Sequence, residues 1–157
     1  MANNDVRFAG SIPALYDRLL GPLLFGPYAE NLAQRLADLN SGALLETASG
    51  TGVVTQALLK HLPAAVSVTA TDLNQAMIDF AAAKPDLKRA IMRQADALAL
   101  PFQDDHFDAV VCQFGVMFFP DRVAGYREAR RVLKPGGRFA FNIWDSLAHN
   151  AAAQCVT

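Results

Sequence analysis

The groups in this chain best spaced for chemistry are a carboxylate that closes an apolar run, Glu46, two glycines shortly after it, Gly50 and Gly52, and a second carboxylate, Asp72. The run Ala43-Leu44-Leu45 ends at Glu46 and is followed by Thr47-Ala48-Ser49-Gly50-Thr51-Gly52, after which apolar positions 53, 54, 57, 58 and 62 recur at helical spacing. Strand, tight turn and helix follow from that pattern. The two glycines let the backbone turn sharply and leave no side chain between the loop and a ligand above the strand's carboxyl end, where the helix presents free N–H groups. Asp72 follows Gly52 by 20 positions, the interval at which an acid ending the next strand can bond both hydroxyls of a ribose. Its other reading is the N-cap of the helix predicted over 74–83. Asp96 lies just past a short third strand and can accept a hydrogen bond from an exocyclic amine, or else be solvated in a loop. Met77, one turn into the helix after Asp72, suits either a flat ring or the core.

What is missing narrows the ligand. The loop lacks the lysine and the Ser or Thr of a phosphate-binding P-loop, and no nearby Arg or Lys answers a pyrophosphate. Position 55, where a dinucleotide-binding loop has its third glycine, is Thr. A nucleoside without phosphates fits best. His61, His106 and His149 are scattered without metal-binding spacing, and Ser49 is not in a G-x-S-x-G turn, so neither a metal nor a catalytic triad is assigned.

The elements that must position these groups alternate. Helices are expected from Ser11 to Leu20, stopped by Gly21-Pro22, and from near Pro27 to about Asp38. Strands are expected over 43–46, 66–71, 90–94, 107–114 and 138–144. Helices follow Gly52, Asn74 and Pro120-Asp121, and Lys134-Pro135-Gly136-Gly137 makes a turn before the fifth strand. This is an α/β chain with a doubly wound, Rossmann-like sheet of about five parallel strands and helices on both faces. Three regions are expected within one domain: a helical lid over 1–42, an α/β core over 43–145, and the start of a further helix over 146–157. With the lid in place, Tyr16 or Phe25 would reach the rim.

Composition agrees with a single globular domain. The 157 residues are 52% hydrophobic and 18% charged with a net charge of −1, so no basic field favours nucleic acid. About 70% of the unfolded surface of such a chain is buried. Cys112 and Cys155 form no ligand cluster, no stretch is long enough to span a bilayer, and a cytoplasmic location is expected.

The motifs taken together resemble the class I S-adenosylmethionine-dependent methyltransferases, in the small-molecule branch that includes ubiquinone and menaquinone C-methyltransferases. Leu45 to Gly52 resembles the family's first motif, Thr71 to Met77 its second-strand motif, Asp96-Ala97 with Leu100 to Asp108 its adenine-side motif, and Leu133 to Gly137 its turn before the fifth strand. The resemblance covers roughly residues 10 to 145. It implies transfer of a methyl group from S-adenosylmethionine to a small acceptor, leaving S-adenosylhomocysteine. Glu46, Ala48, Ser49, Gly50, Thr51 and Gly52 would hold the methionine end, Asp72 and Leu73 the ribose, and Asp96, Ala97 and Leu98 the adenine edge. Gln113 and Phe114 would floor the site near the methyl. A general base is required only if the acceptor must lose a proton.

Two departures carry expectations. Ala48 stands where the family has its first glycine, which should narrow the methionine end by one methyl. The family's sheet continues into an antiparallel hairpin that is absent here, so the fifth strand, with Phe139, Phe141, Ile143 and Trp144, is expected to be an open edge that a continuing chain or a second copy covers. Two other functions share the fold: a nicotinamide-dependent oxidoreductase, which Thr55 speaks against, and a non-catalytic nucleoside-binding module.

Overall fold

The computed structural model describes residues 12–146 and 149. Five parallel strands form one sheet: β1 (Gly42–Glu46), β2 (Val66–Asp72), β3 (Ile91–Gln94), β4 (Phe107–Gln113) and β5 (Leu133–Asn142), in the order β3-β2-β1-β4-β5. From β1 the chain winds outward to β3, then returns to lay β4 against the other side of β1 and winds the opposite way. The reversal between β1 and β4 leaves a crevice at the strands' carboxyl ends, where ligands of such sheets bind.

Alternation along the central strands builds two cores. Leu44, Ala109 and Val111 face one side, where Leu32, Leu36, Val54, Leu58, Val66 and Val68 pack. Leu45, Val110 and Phe107 face the other, against Leu100, Ala129, Val132 and Leu133. Because neighbouring strand residues point to opposite faces, both faces are apolar and the strands read as continuous hydrophobic runs.

Helices α3 (Val53–His61), α4 (Gln75–Ala83) and α5 (Arg122–Val132) agree with the sequence pattern. The cap of α4 is Asn74, whose Oδ1 accepts the Ala76 N–H at 2.9 Å, and that of α5 is Asp121, whose Oδ1 accepts the Ala124 N–H at 2.9 Å. The N-terminal segment differs from expectation. Gly21-Pro22 does not stop α1 (Ile12–Leu20); a π-helical turn, Gly21–Phe25, carries the chain without a break into α2 (Gly26–Gln34). The wider spacing of that turn is closed by the Gly26 N–H, which donates to the Gly21 carbonyl. The fifth strand also begins earlier, at Leu133, because residues 134–137 bulge out between the Phe107–Leu133 and Ala109–Arg138 pairs, and Trp144 lies beyond its end. Most of the C-terminal helix expected from 146 onward lies outside the described residues.

One side chain organises the loop that leads into β4. Arg131 on α5 uses all five N–H donors: two to Glu128, one to Asp104, and one each to the carbonyls of Leu100 and Phe102, at 2.7 to 2.9 Å. Glu128 also accepts the Leu100 N–H at 2.7 Å. A lysine has one point charge and no planar fork, so Arg131→Lys should lower unfolding stability in urea by about 2 kcal/mol, although the charge is kept.

Candidate functional site at the sheet's switch point

The glycine loop joins β1 to α3 across the crevice. Glu46 is only 2% exposed, and the Thr55 hydroxyl donates to its Oε2 at 2.6 Å. Burial pushes the Glu46 carboxyl up to about 8, with the nearby charge of Asp72 adding to it and the Thr55 bond opposing it. Thr55, at the position of a dinucleotide loop's third glycine, is thus used to hold Glu46.

The two glycines do different work. A Cβ on Gly50 would meet nothing within 4 Å, so its φ of +55° is what calls for glycine and the space beside it is open. A Cβ on Gly52 would lie 2.5 Å from Leu87 Cδ1 and 3.5 Å from Ala81 Cβ. Contrary to the expectation that both glycines open the loop to a ligand, Gly52 lets the loop pack closely against the segment after α4. Ala48 also has positive φ, +53°, and its methyl is directed at Gly115, where an added Cβ would sit 2.4 Å from it. The methyl lodges in the space that Gly115 leaves. Ser49 Oγ and Thr51 Oγ1 are buried without a hydrogen-bond partner among the described residues.

Asp72 is joined to this loop. Its Oδ2 accepts the Gly50 N–H at 2.8 Å and its Oδ1 the Asn74 N–H at 2.9 Å. The N-cap role considered for Asp72 belongs to Asn74, which leaves Asp72 partly exposed at the end of β2. Leu73 beside it is 46% exposed, while Met77 is buried with Ile78 and Ala81 on the covered face of α4. Asp96 is exposed beyond β3, and its Oδ1 accepts the Leu98 N–H at 2.8 Å, which shapes the Asp96-Ala97-Leu98 turn.

Across the switch point, Gln113 ends β4. Its Nε2 donates to the Phe25 carbonyl at 3.2 Å and its Oε1 accepts from Asn142 at 3.3 Å. Phe114 has a φ of +53°, and its ring meets Phe25, Tyr28 and Trp144. Of the two N-terminal candidates, Phe25 meets Phe114 here, and the side chain of Tyr16 lies outside the described residues. Sequence reasoning missed Thr55, Tyr28 and Asn142 as parts of this site. Thr55 could have been found from its place one turn after the loop, but nothing local marks the other two.

A family model described as a methyltransferase domain matches residues 45–141, from the end of β1 to the end of β5. The chain belongs to the class I S-adenosylmethionine-dependent methyltransferase family. The chain is similar to a ubiquinone/menaquinone biosynthesis C-methyltransferase of Geobacter sulfurreducens, at 35% identity over 130 residues, 78% of this chain and 51% of that protein. It is 34% identical over 126 residues to the chloroplastic 2-methyl-6-phytyl-1,4-hydroquinone methyltransferase of Spinacia oleracea, covering 79% of this chain and 36% of that one. The chain thus spans about half or less of the length of these relatives. A crystal structure from Methanococcus maripaludis shares the fold, with a TM-score of 0.76 at 24% identity over 99% of this chain and 74% of that one. The residues present fit the family's cofactor: the space beside Gly50 is open, Asp72 and Asp96 are accessible, and an acidic rim suits a ligand that carries positive charge. Among the described residues no helix is long and apolar enough to cross a membrane, and no cluster of side chains could hold a metal ion.

The buried carboxyl makes the fold sensitive to pH. Its folded value of about 8 lies above the ordinary 4.5, so the native state binds the proton more tightly, and Glu46's contribution is complete below about 4.5 and lost as pH rises through 8. Urea unfolding between pH 5 and 8 should show Glu46→Gln gaining on the parent protein by up to about 1 kcal/mol per pH unit. A constant difference across that range would show that Glu46 does not titrate in this way.

Proposed function

We propose that the chain binds S-adenosylmethionine across the switch point and transfers its methyl group to a small, ring-bearing acceptor of the quinol type, releasing S-adenosylhomocysteine. The observation that carries this reading is the Asp72 carboxylate bonded to the Gly50 amide, because it makes the glycine loop and the end of β2 one piece. Glu46, Ala48, Ser49, Gly50, Thr51 and Gly52 would line the methionine end, Asp72 and Leu73 the ribose, Asp96, Ala97 and Leu98 the adenine edge with Met77 beneath it, and Gln113 and Phe114 the methyl. When bound, S-adenosylmethionine supplies a sulfonium whose methyl is already a good electrophile. What remains for the protein is to align the acceptor and exclude water. The helical segment before β1 acts as a lid in this reading, supported by the Gln113–Phe25 hydrogen bond. The quinol class comes from the printed names of the relatives, both of which act on ring systems.

The same reading puts the protein in the cytoplasm, with no nucleic acid as partner, and pairs the outer edge of β5 with a continuing chain or a second copy. Support for that pairing is the exposure of Phe141, 41%, and Ile143, 55%, at the end of an edge strand. Phe139 and Phe141 are in part covered by Tyr126, at centroid distances of 6.2 and 5.8 Å.

Both S-adenosylmethionine and S-adenosylhomocysteine should raise the melting temperature, since a ligand that binds only the folded state stabilises it by mass action. In calorimetric titration Asp72→Ala should weaken S-adenosylhomocysteine binding by about 1.5 to 3 kcal/mol, the range for hydrogen bonds to a charged group. Unchanged affinity in a folded Asp72→Ala protein would remove Asp72 from the site.

A further inference from the structure

Phe114 adopts a left-handed backbone, φ +53°, that bulky residues rarely take, and its surroundings enforce it. Its N–H bonds both the carbonyl and the side-chain oxygen of Asn142, each at 3.1 Å. The Asn142 amide donates in turn to Gln113, which is tied to the Phe25 carbonyl. The ring is thereby fixed at the carboxyl end of β4, one residue from the Gly115 that receives the Ala48 methyl of the glycine loop. One of its faces is covered by Trp144, with centroids 4.0 Å apart and planes inclined by 9°. Tyr28 stands edge-on to both, 5.2 Å from Phe114 and 5.4 Å from Trp144, and Phe25 is tilted against Phe114 at 5.8 Å. These edges flank the Phe114 face on which Trp144 lies.

Trp144 is held there lightly. It lies two residues past Asn142, the last residue of β5, and residues 143–146 belong to no regular element, so moving the indole breaks no ladder hydrogen bond. We infer that Phe114 is the platform on which a planar aromatic acceptor stacks, and that Trp144 is a displaceable plug occupying that platform in the free protein. The inference rests on the methyl-transfer reading and adds to it a residue that selects flat rings and a contact that must open before the acceptor binds.

Trp144 is the only tryptophan in the chain, so its fluorescence reports on the plug alone. With S-adenosylhomocysteine present, benzene-1,4-diol should make Trp144 about twofold more accessible to acrylamide quenching, while cyclohexane-1,4-diol, of like size but not flat, should leave it unchanged. Removing the competitor in Trp144→Ala should tighten benzene-1,4-diol binding about fivefold by NMR titration, and Phe114→Leu should weaken it by a similar factor. Quenching that stays constant while benzene-1,4-diol binds, or a Trp144→Ala protein that binds it no more tightly, would overturn the plug. Failure of either protein to bind it at about 10 mM would overturn the platform. Calorimetry with S-adenosylhomocysteine on the same samples separates the two levels: failure to bind there would overturn the methyl-transfer reading itself.

Discussion

The hydrogen bond from the Gly50 amide to the Asp72 carboxylate is the constraint on which the rest of the rim depends. Without it the loop after β1 and the end of β2 would be two independent surface features. With it, the acid that ends β2 sets the position of the turn that ends β1, while its second oxygen takes the Asn74 N–H and so sets where α4 begins. The Ser49 N–H, bonded to the Thr71 carbonyl at 2.9 Å, reinforces the same junction from the backbone side.

A few residues away Glu46 is treated in the opposite way. It is enclosed, bonded to Thr55 and pushed towards its neutral form chiefly by burial, whereas Asp72 stays partly exposed. The difference follows from where each strand stops relative to the sheet. Glu46 still has neighbours on both sides, with Thr71 donating to its carbonyl at 2.9 Å, whereas Asp72 is the last residue of a strand whose outer neighbour, β3, is only four residues long. Glu46 and Asp72 are thus set apart by burial alone.

Small residues at the rim serve packing as much as binding. Gly52 is required by Leu87, and Gly115 by the Ala48 methyl and the Cys112 sulfur. Among the glycines of this loop and of the facing turn, Gly50 is the one that is both conformationally required and open. The substitution of the family's first glycine by Ala48 is accommodated because the facing residue, Gly115, has no side chain of its own.

The parallel, doubly wound sheet and the approximate extents of α3, α4 and α5 were legible in the sequence, because they follow from local patterns: apolar strand runs alternating with helical spacing of apolar residues. The glycine loop, Asp72 and Asp96 were legible for a related reason, since the parallel winding carries every strand end to one rim whatever the details of packing. The π-helical turn at Gly21–Phe25 was not, because Gly-Pro reads locally as a stop and only the packing around Gly21, which is buried, carries the helix on. Nor were the separate tasks of Gly50 and Gly52, the hub at Arg131, or the cluster of Phe25, Tyr28, Phe114 and Trp144. Those depend on which side chains meet across residue separations of up to about a hundred. Periodicity and spacing hold no information about such meetings, and only the close packing of the finished fold decides them.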